Sequence, residues 1–230
     1  MILFPVMDDD IGPFNSSRGY FHGIQQELNT AIKEDYHDEE DWPQWSAACE
    51  AMVRAIPSMI DPRFRRSPFL LHHPDFHFVN ILVDDDFNIT GVLDWSNTRA
   101  VPVERFAAYQ EFMTYPRASE EVNRPIIEFR KLFIDALRRL EEASNPNSAL
   151  SDLFDSTLPE VVHRWDKGIP HMAPMASFQA LWVLRLLYGN DTTFENYKAR
   201  QKQHGRKGRL KLGSSRGAEF RMSPIVAEET

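Results

Sequence analysis

The sequence predicts an α+β fold that is mainly α. Five segments repeat apolar residues at three- and four-residue spacing, while only the stretch from Phe69 to Leu93 holds short β-branched runs between turn residues. At 230 residues, with 42% hydrophobic and 26% charged, the chain can bury a core as one domain or a large part of two.

Residues 1–24 carry Pro5, Gly12, Pro13, Gly19 and Gly23 and read as an irregular lead-in. Ile24, Leu28 and Ile32 predict a first helix, and Ala48, Met52 and Ala55 a second over Trp45 to Ile56. The acidic run from Glu34 to Asp41 between them suits a solvated loop or helix start. Phe69-Leu70-Leu71 is a short strand candidate. Ile81-Leu82-Val83 and Ile89-Thr90-Gly91-Val92-Leu93 read as an antiparallel hairpin around the turn-rich Asp84 to Asn88. Helical spacing returns over Phe106 to Met113, Ile126 to Leu140 and Ser177 to Leu187, the last apolar nearly all round and therefore expected to be buried. Residues 201–230 are rich in Lys, Arg and Gly and poor in large apolar groups, which predicts a flexible basic tail. The body of the fold is thus expected over 25–200.

Composition excludes several classes. The 34 acidic residues outnumber the 26 lysines and arginines, and the resulting charge of -8 argues against a nucleic-acid binder held by phosphate contacts. Cys49 stands alone, so there is no internal disulfide framework and no cysteine-rich zinc site; a reducing, cytoplasmic setting is expected. No apolar run is long enough to span a membrane, and Met1 to Met7 lacks the basic leader of a signal peptide.

The densest polar cluster is His73-Pro74-Asp75, followed by Asn80 and, after the hairpin, Asp94-Trp95. Phosphoryl transfer needs a carboxylate to orient or deprotonate the attacking hydroxyl and oxygen ligands to hold magnesium against phosphates. An aspartate and an asparagine five positions apart can share one short loop, with the carboxylate towards the acceptor and the amide oxygen towards the metal. A hairpin whose return strand ends in Asp94 brings a second metal carboxylate back to that loop, so Asp75, Asn80 and Asp94 are expected to converge.

At these residues the sequence resembles the aminoglycoside phosphotransferase and choline-kinase-like group of small-molecule kinases. His73 to Val83 is similar to that family's catalytic loop, and Ile89 to Trp95 to its metal-binding segment. The resemblance implies Asp75 as catalytic base, Asn80 and Asp94 as magnesium ligands, and ATP as phosphate donor to a small-molecule hydroxyl. It also implies that 25–200 is the helical carboxy-terminal lobe of a kinase-like fold whose small β-hairpin carries the catalytic loop. Ser96 stands where the family usually has a further acidic residue, and Pro74 where it has glycine. Neither a glycine-rich phosphate loop nor a Val-Ala-x-Lys-type strand precedes His73, so the nucleotide-gripping sheet lobe is expected to be missing and the chain truncated.

The alternative is a non-catalytic, pseudokinase-like interaction protein, whose uncovered lobe surface would recruit a partner or drive self-association. His73 and His77 read as structural, His73 by fixing the loop through hydrogen bonds. A zinc hydrolase built on His72, His73, Asp75 and His77 is a rival without further placed histidines. Asp84-Asp85-Asp86 lacks the glycine and distal glutamate of an EF-hand and reads as a solvated turn. Trp165 and Trp182 read as core, while Asp166 and Glu195 are acidic groups that could meet a cationic acceptor but belong to no motif.

Overall fold

The computed structural model describes residues 12–66, 69–96, 98–114, 119–145, 147–168 and 173–204. It is mainly helical, with two small antiparallel sheets, in agreement with the class read from the sequence.

Helix α1 spans Ser17–Tyr36, so residues 17–24, expected to be irregular, are its first two turns. Ser16 sits in extended backbone, and its side chain accepts the Gly19 N–H at 3.1 Å, which satisfies one of the free donors at the helix start. A Cβ at Gly19 would lie 3.3 Å from that same oxygen, so a small residue suits the cap. Gly19 and Gly23 cost the helix about 1 kcal/mol each, but burial of Tyr20, Phe21 and Ile24 on one face outweighs this.

Helix α2 (Trp42–Ala55) continues into a 3-10 turn at Ile56–Met59, and the acidic run forms the end of α1 and an exposed connection. Packed on these are α6 (Leu158–Gly168) and α7 (Ala173–Tyr188). The sequence reading missed α6, although Leu158, Val161, Val162 and Trp165 repeat at helical spacing. Trp165 is the largest fully buried side chain; its ring meets Phe21 edge-on at 4.9 Å, and its indole N–H donates to Gln25 Oε1 at 2.8 Å. Helix α7 is buried as predicted: Ala180, Val183 and Leu184 are in the core. It stops at Gly189, whose φ of +108° suits glycine and whose N–H bonds Arg185 O.

A second, smaller core gathers α3 (Val103–Phe106), α4 (Glu120–Ser144) and α5 (Leu150–Phe154). The helix expected over Phe106 to Met113 is not continuous: α3 ends at Phe106 and a 3-10 turn occupies Glu111–Met113. The interruption lets Tyr109 turn inward, where its hydroxyl donates to Phe154 O at 2.7 Å and its ring carries the Arg130 guanidinium at 3.7 Å. Helix α8 (Phe194–His204) buries Tyr197, so the first four residues of the expected tail are helical; residues 205–230 lie outside the described ones.

Strand β1 (Leu70–His72) pairs with β4 (Arg99–Val101), and β2 (Ile81–Val83) with β3 (Ile89–Val92), both antiparallel. β4 escaped the sequence reading because three residues before Pro102 show no periodicity. Among the described residues no helix is long and apolar enough to cross a membrane.

Two expectations follow. Ser16→Ala should lower stability by about 1 kcal/mol in urea denaturation, because α1 loses its cap. His72, buried at the end of β1, is pushed down to about 4 by burial, then by the nearby Arg105 cation, with Arg99 and His73 acting the same way and Asp166 opposing. As pH falls through 6.5 the unfolded chain takes up this proton first, so His72 weakens the fold between pH 6.5 and 4, by up to about 3 kcal/mol. Denaturation at pH 7 and pH 4 should show that much less loss in His72→Gln than in the wild type.

Candidate active site

The chain leaves β1 at His72 and reaches β2 at Ile81 through a loop that carries His73, Asp75, His77 and Asn80. A 3-10 turn at Phe78–Asn80 folds this loop back, with Asn80 N–H bonding His77 O at 3.0 Å. The Asn80 side chain closes it: Nδ2 donates to the Asp75 carbonyl at 2.9 Å and to Asp75 Oδ2 at 3.2 Å. Asn80 is 9% exposed whereas the Asp75 side chain is 59% exposed, so a buried amide holds an accessible carboxylate. His77 supports it from the other side. Its Nδ1 accepts the Val79 N–H, which leaves Nε2 to face Asp75 Oδ1 at 3.3 Å.

Asp94 reaches this loop through the hairpin. β3 runs antiparallel to β2 with Ile81 opposite Val92, and the pairing extends one step further, where Leu93 N–H donates to Asn80 O at 2.8 Å. The Leu93 carbonyl accepts His73 Nε2, also at 2.8 Å, so His73 fixes the loop as expected. At Asp94 the backbone turns left-handed, with φ +53°, a region that aspartate tolerates better than most residues. Trp95 locks the turn: its indole N–H donates to Val92 O at 2.8 Å and its ring meets His73 edge-on. Asp94 is exposed, and hydrogen bonds from Ser96 hold its carboxyl below the usual carboxylate range, with His73 and His77 adding to the effect.

The donor set suits a hard cation. Asn80 Oδ1 accepts no hydrogen bond among the described residues, and the Asp94 carboxylate faces solvent; magnesium takes one or two protein oxygens and completes its shell with phosphates and water. A zinc site is not formed. Among the described residues no three His, Cys, Asp or Glu side chains converge: His72 is buried beside Arg105, His73 is spent on Leu93, and His77 on Asp75. Asp84 accepts the N–H groups of Asp86 and Asn88 and the Asn88 amide, so the acidic triplet is a hairpin turn. Asp166 is paired with Arg105 at 2.7 Å, and Glu195 opens α8 hydrogen-bonded by Thr193, so neither adds a free carboxylate at Asp75.

The sequence reading missed two contributions. Ser96, which stands where an acidic residue is usual, hydrogen-bonds the Asp94 carboxylate. Phe112, in the 3-10 turn after α3, packs its ring 4.7 Å from Phe78 of the loop, a contact across more than thirty residues that no local pattern announces.

Comparison with known proteins gives a family match over part of the chain. Residues 10–104 match the phosphotransferase enzyme family. A 60-residue stretch is 40% identical to clavilactone A biosynthesis cluster protein Y of Ampulloclitocybe clavipes, covering 26% of this chain and 14% of that relative. The chain therefore spans a small part of the curated relative it matches. No solved structure matches.

Removing the Ser96 hydroxyl should be visible at Asp94. In a carboxyl-carbon NMR titration, the Asp94 midpoint should lie below that of ordinary exposed aspartates, and Ser96→Ala should move it upward.

Proposed function

We propose, from the match of residues 10–104 to the phosphotransferase enzyme family, that the chain supplies the acceptor-orienting and magnesium-holding part of an ATP-dependent phosphotransferase acting on a small-molecule hydroxyl. The observation that carries this reading is the closed Asp75–Asn80 loop with Asp94 returned to it by the Leu93 pairing. Asp75 would hydrogen-bond the acceptor hydroxyl and take its proton as the oxygen forms its bond to the γ-phosphorus, while the bond to the departing ADP oxygen breaks and ADP leaves with the electron pair. Asn80 and His77 each contact one face of that carboxylate, so its orientation is set before the acceptor arrives. Asn80 Oδ1 and Asp94 would hold magnesium, which supplies neutralisation of charge on the phosphates. The lysine and glycine-rich strand pair that grip the nucleotide in such enzymes have no counterpart among the described residues, whose four strands all follow Phe69.

A second reading, a non-catalytic interaction module, is favoured by one observation. Val79, Leu82, Val83, Ile89, Leu93 and Trp95 expose 44 to 80% of their surface in one stretch around the loop, more apolar surface than a free hairpin usually presents. Such a face suits association with another protein or a second copy of the chain.

Calorimetry with ATP and magnesium separates the two. The phosphotransferase reading expects magnesium-dependent nucleotide binding that Asp94→Asn weakens at least about ten-fold, with Asp75→Asn leaving binding intact but lowering phosphate transfer by about 10²–10⁴-fold. Binding indifferent to magnesium and to both variants supports the interaction module.

A further inference from the structure

The rings beside Asp75 carry one more conclusion. Phe76 and Phe78 belong to the loop that Asn80 closes onto Asp75, and both extend into a row of aromatic side chains. His73 meets Phe76 at 5.9 Å, Phe76 and Phe78 meet Phe112 at 6.4 and 4.7 Å, and Phe112 meets Phe129 of α4 at 6.1 Å. Phe112 is half-buried against the second core and fixes the row to the fold, whereas Phe78 is 68% and Phe129 42% exposed. Two accessible phenyl groups, joined through an anchored third, thus begin on the loop that carries Asp75. A core would bury them, and a solvated loop would not place three phenylalanines from three elements in contact.

We infer that the Phe78–Phe112–Phe129 row is the acceptor subsite and that the acceptor is a neutral alcohol or phenol built on an aromatic ring, stacked there with its hydroxyl at Asp75. The inference rests on the phosphotransferase reading for what happens at the hydroxyl, but the ring site is a binding property in its own right. Chemistry favours a neutral ring over a cation. Phenyl faces bind cations less well than indole, and Asp166 and Glu195 are engaged away from the row, with Arg105 and at the start of α8. Aromatic pairs, by contrast, gain beyond their buried area in the offset and edge-on geometries already present in the row.

The test uses saturation-transfer NMR on the full chain, with 2-(2-naphthyl)ethanol as probe and choline as comparator, each with and without magnesium and ATP. Naphthylethanol should be saturated and choline should not. Phe78→Ala and Phe129→Ala, both at exposed positions that the fold does not rely on, should weaken naphthylethanol at least about five-fold. Leu140→Ala, exposed near the far end of α4, should leave it unchanged. Absence of naphthylethanol binding, binding indifferent to both phenylalanine variants, or choline binding with the same dependence on Phe78 would overturn the inference. If magnesium and ATP fail to bind while the Phe78-dependent signal persists, the phosphotransferase reading falls and the ring site stands. The reverse result removes the ring site alone.

Discussion

Both main-chain polar groups of Leu93 are taken by the loop that carries Asp75: its N–H by Asn80 O and its carbonyl by His73 Nε2, each at 2.8 Å. These two bonds extend the β2–β3 ladder beyond the last paired strand residue and clamp the return strand onto the loop. The proposed site depends on them, because they hold the residue before Asp94 against the loop that carries Asp75. They are also cheap to keep. Leu93 and Asn80 satisfy groups that would otherwise need water, so the clamp adds no orphaned backbone donor or acceptor.

Beneath that clamp lies a seam of buried polar groups that fixes the sheets to the helices. Glu104 is fully buried just after β4, and Ser17 of α1 donates to its Oε2 at 2.8 Å; burial pushes its carboxyl above the usual range. The neighbouring Arg105 pairs with Asp166 of α6 and donates to the Tyr20 hydroxyl of α1 at 3.2 Å. Two consecutive residues thus tie α3 to α1 and α6. A charge this deep gains little as a pair, but leaving one partner alone would be strongly unfavourable, so the seam specifies how the layers meet more than it stabilises them.

The parts of this molecule legible in its sequence are those whose signals are local. The hairpin announced itself through β-branched runs on either side of Asp84 to Asn88, and α4 and α7 through long, regular apolar spacing. Asp75, Asn80 and Asp94 could be expected to approach one another because strand pairing has a fixed register. What was hidden depends on tertiary burial. The start of α1 is obscured by two glycines and becomes helical because Phe21 has Trp165 to pack against. β4 has three residues and exists only as the partner of β1. α6 carries a local signal in the helical spacing of Leu158, Val161, Val162 and Trp165. The aromatic row was beyond local reading, since Phe78, Phe112 and Phe129 lie on three elements whose meeting no spacing rule encodes.

The left-handed backbone at Asp94 restricts what mutation can ever explore there. Aspartate, asparagine and glycine enter that conformation with little penalty, while alanine, glutamate and the branched residues would each strain the turn that Trp95 and Val92 hold. Drift at this codon therefore has few exits. A lineage that lost the carboxylate would be expected to pass through asparagine or glycine, keeping the loop's shape after its chemistry had gone, so the outline of such a site would persist in descendants that no longer used it.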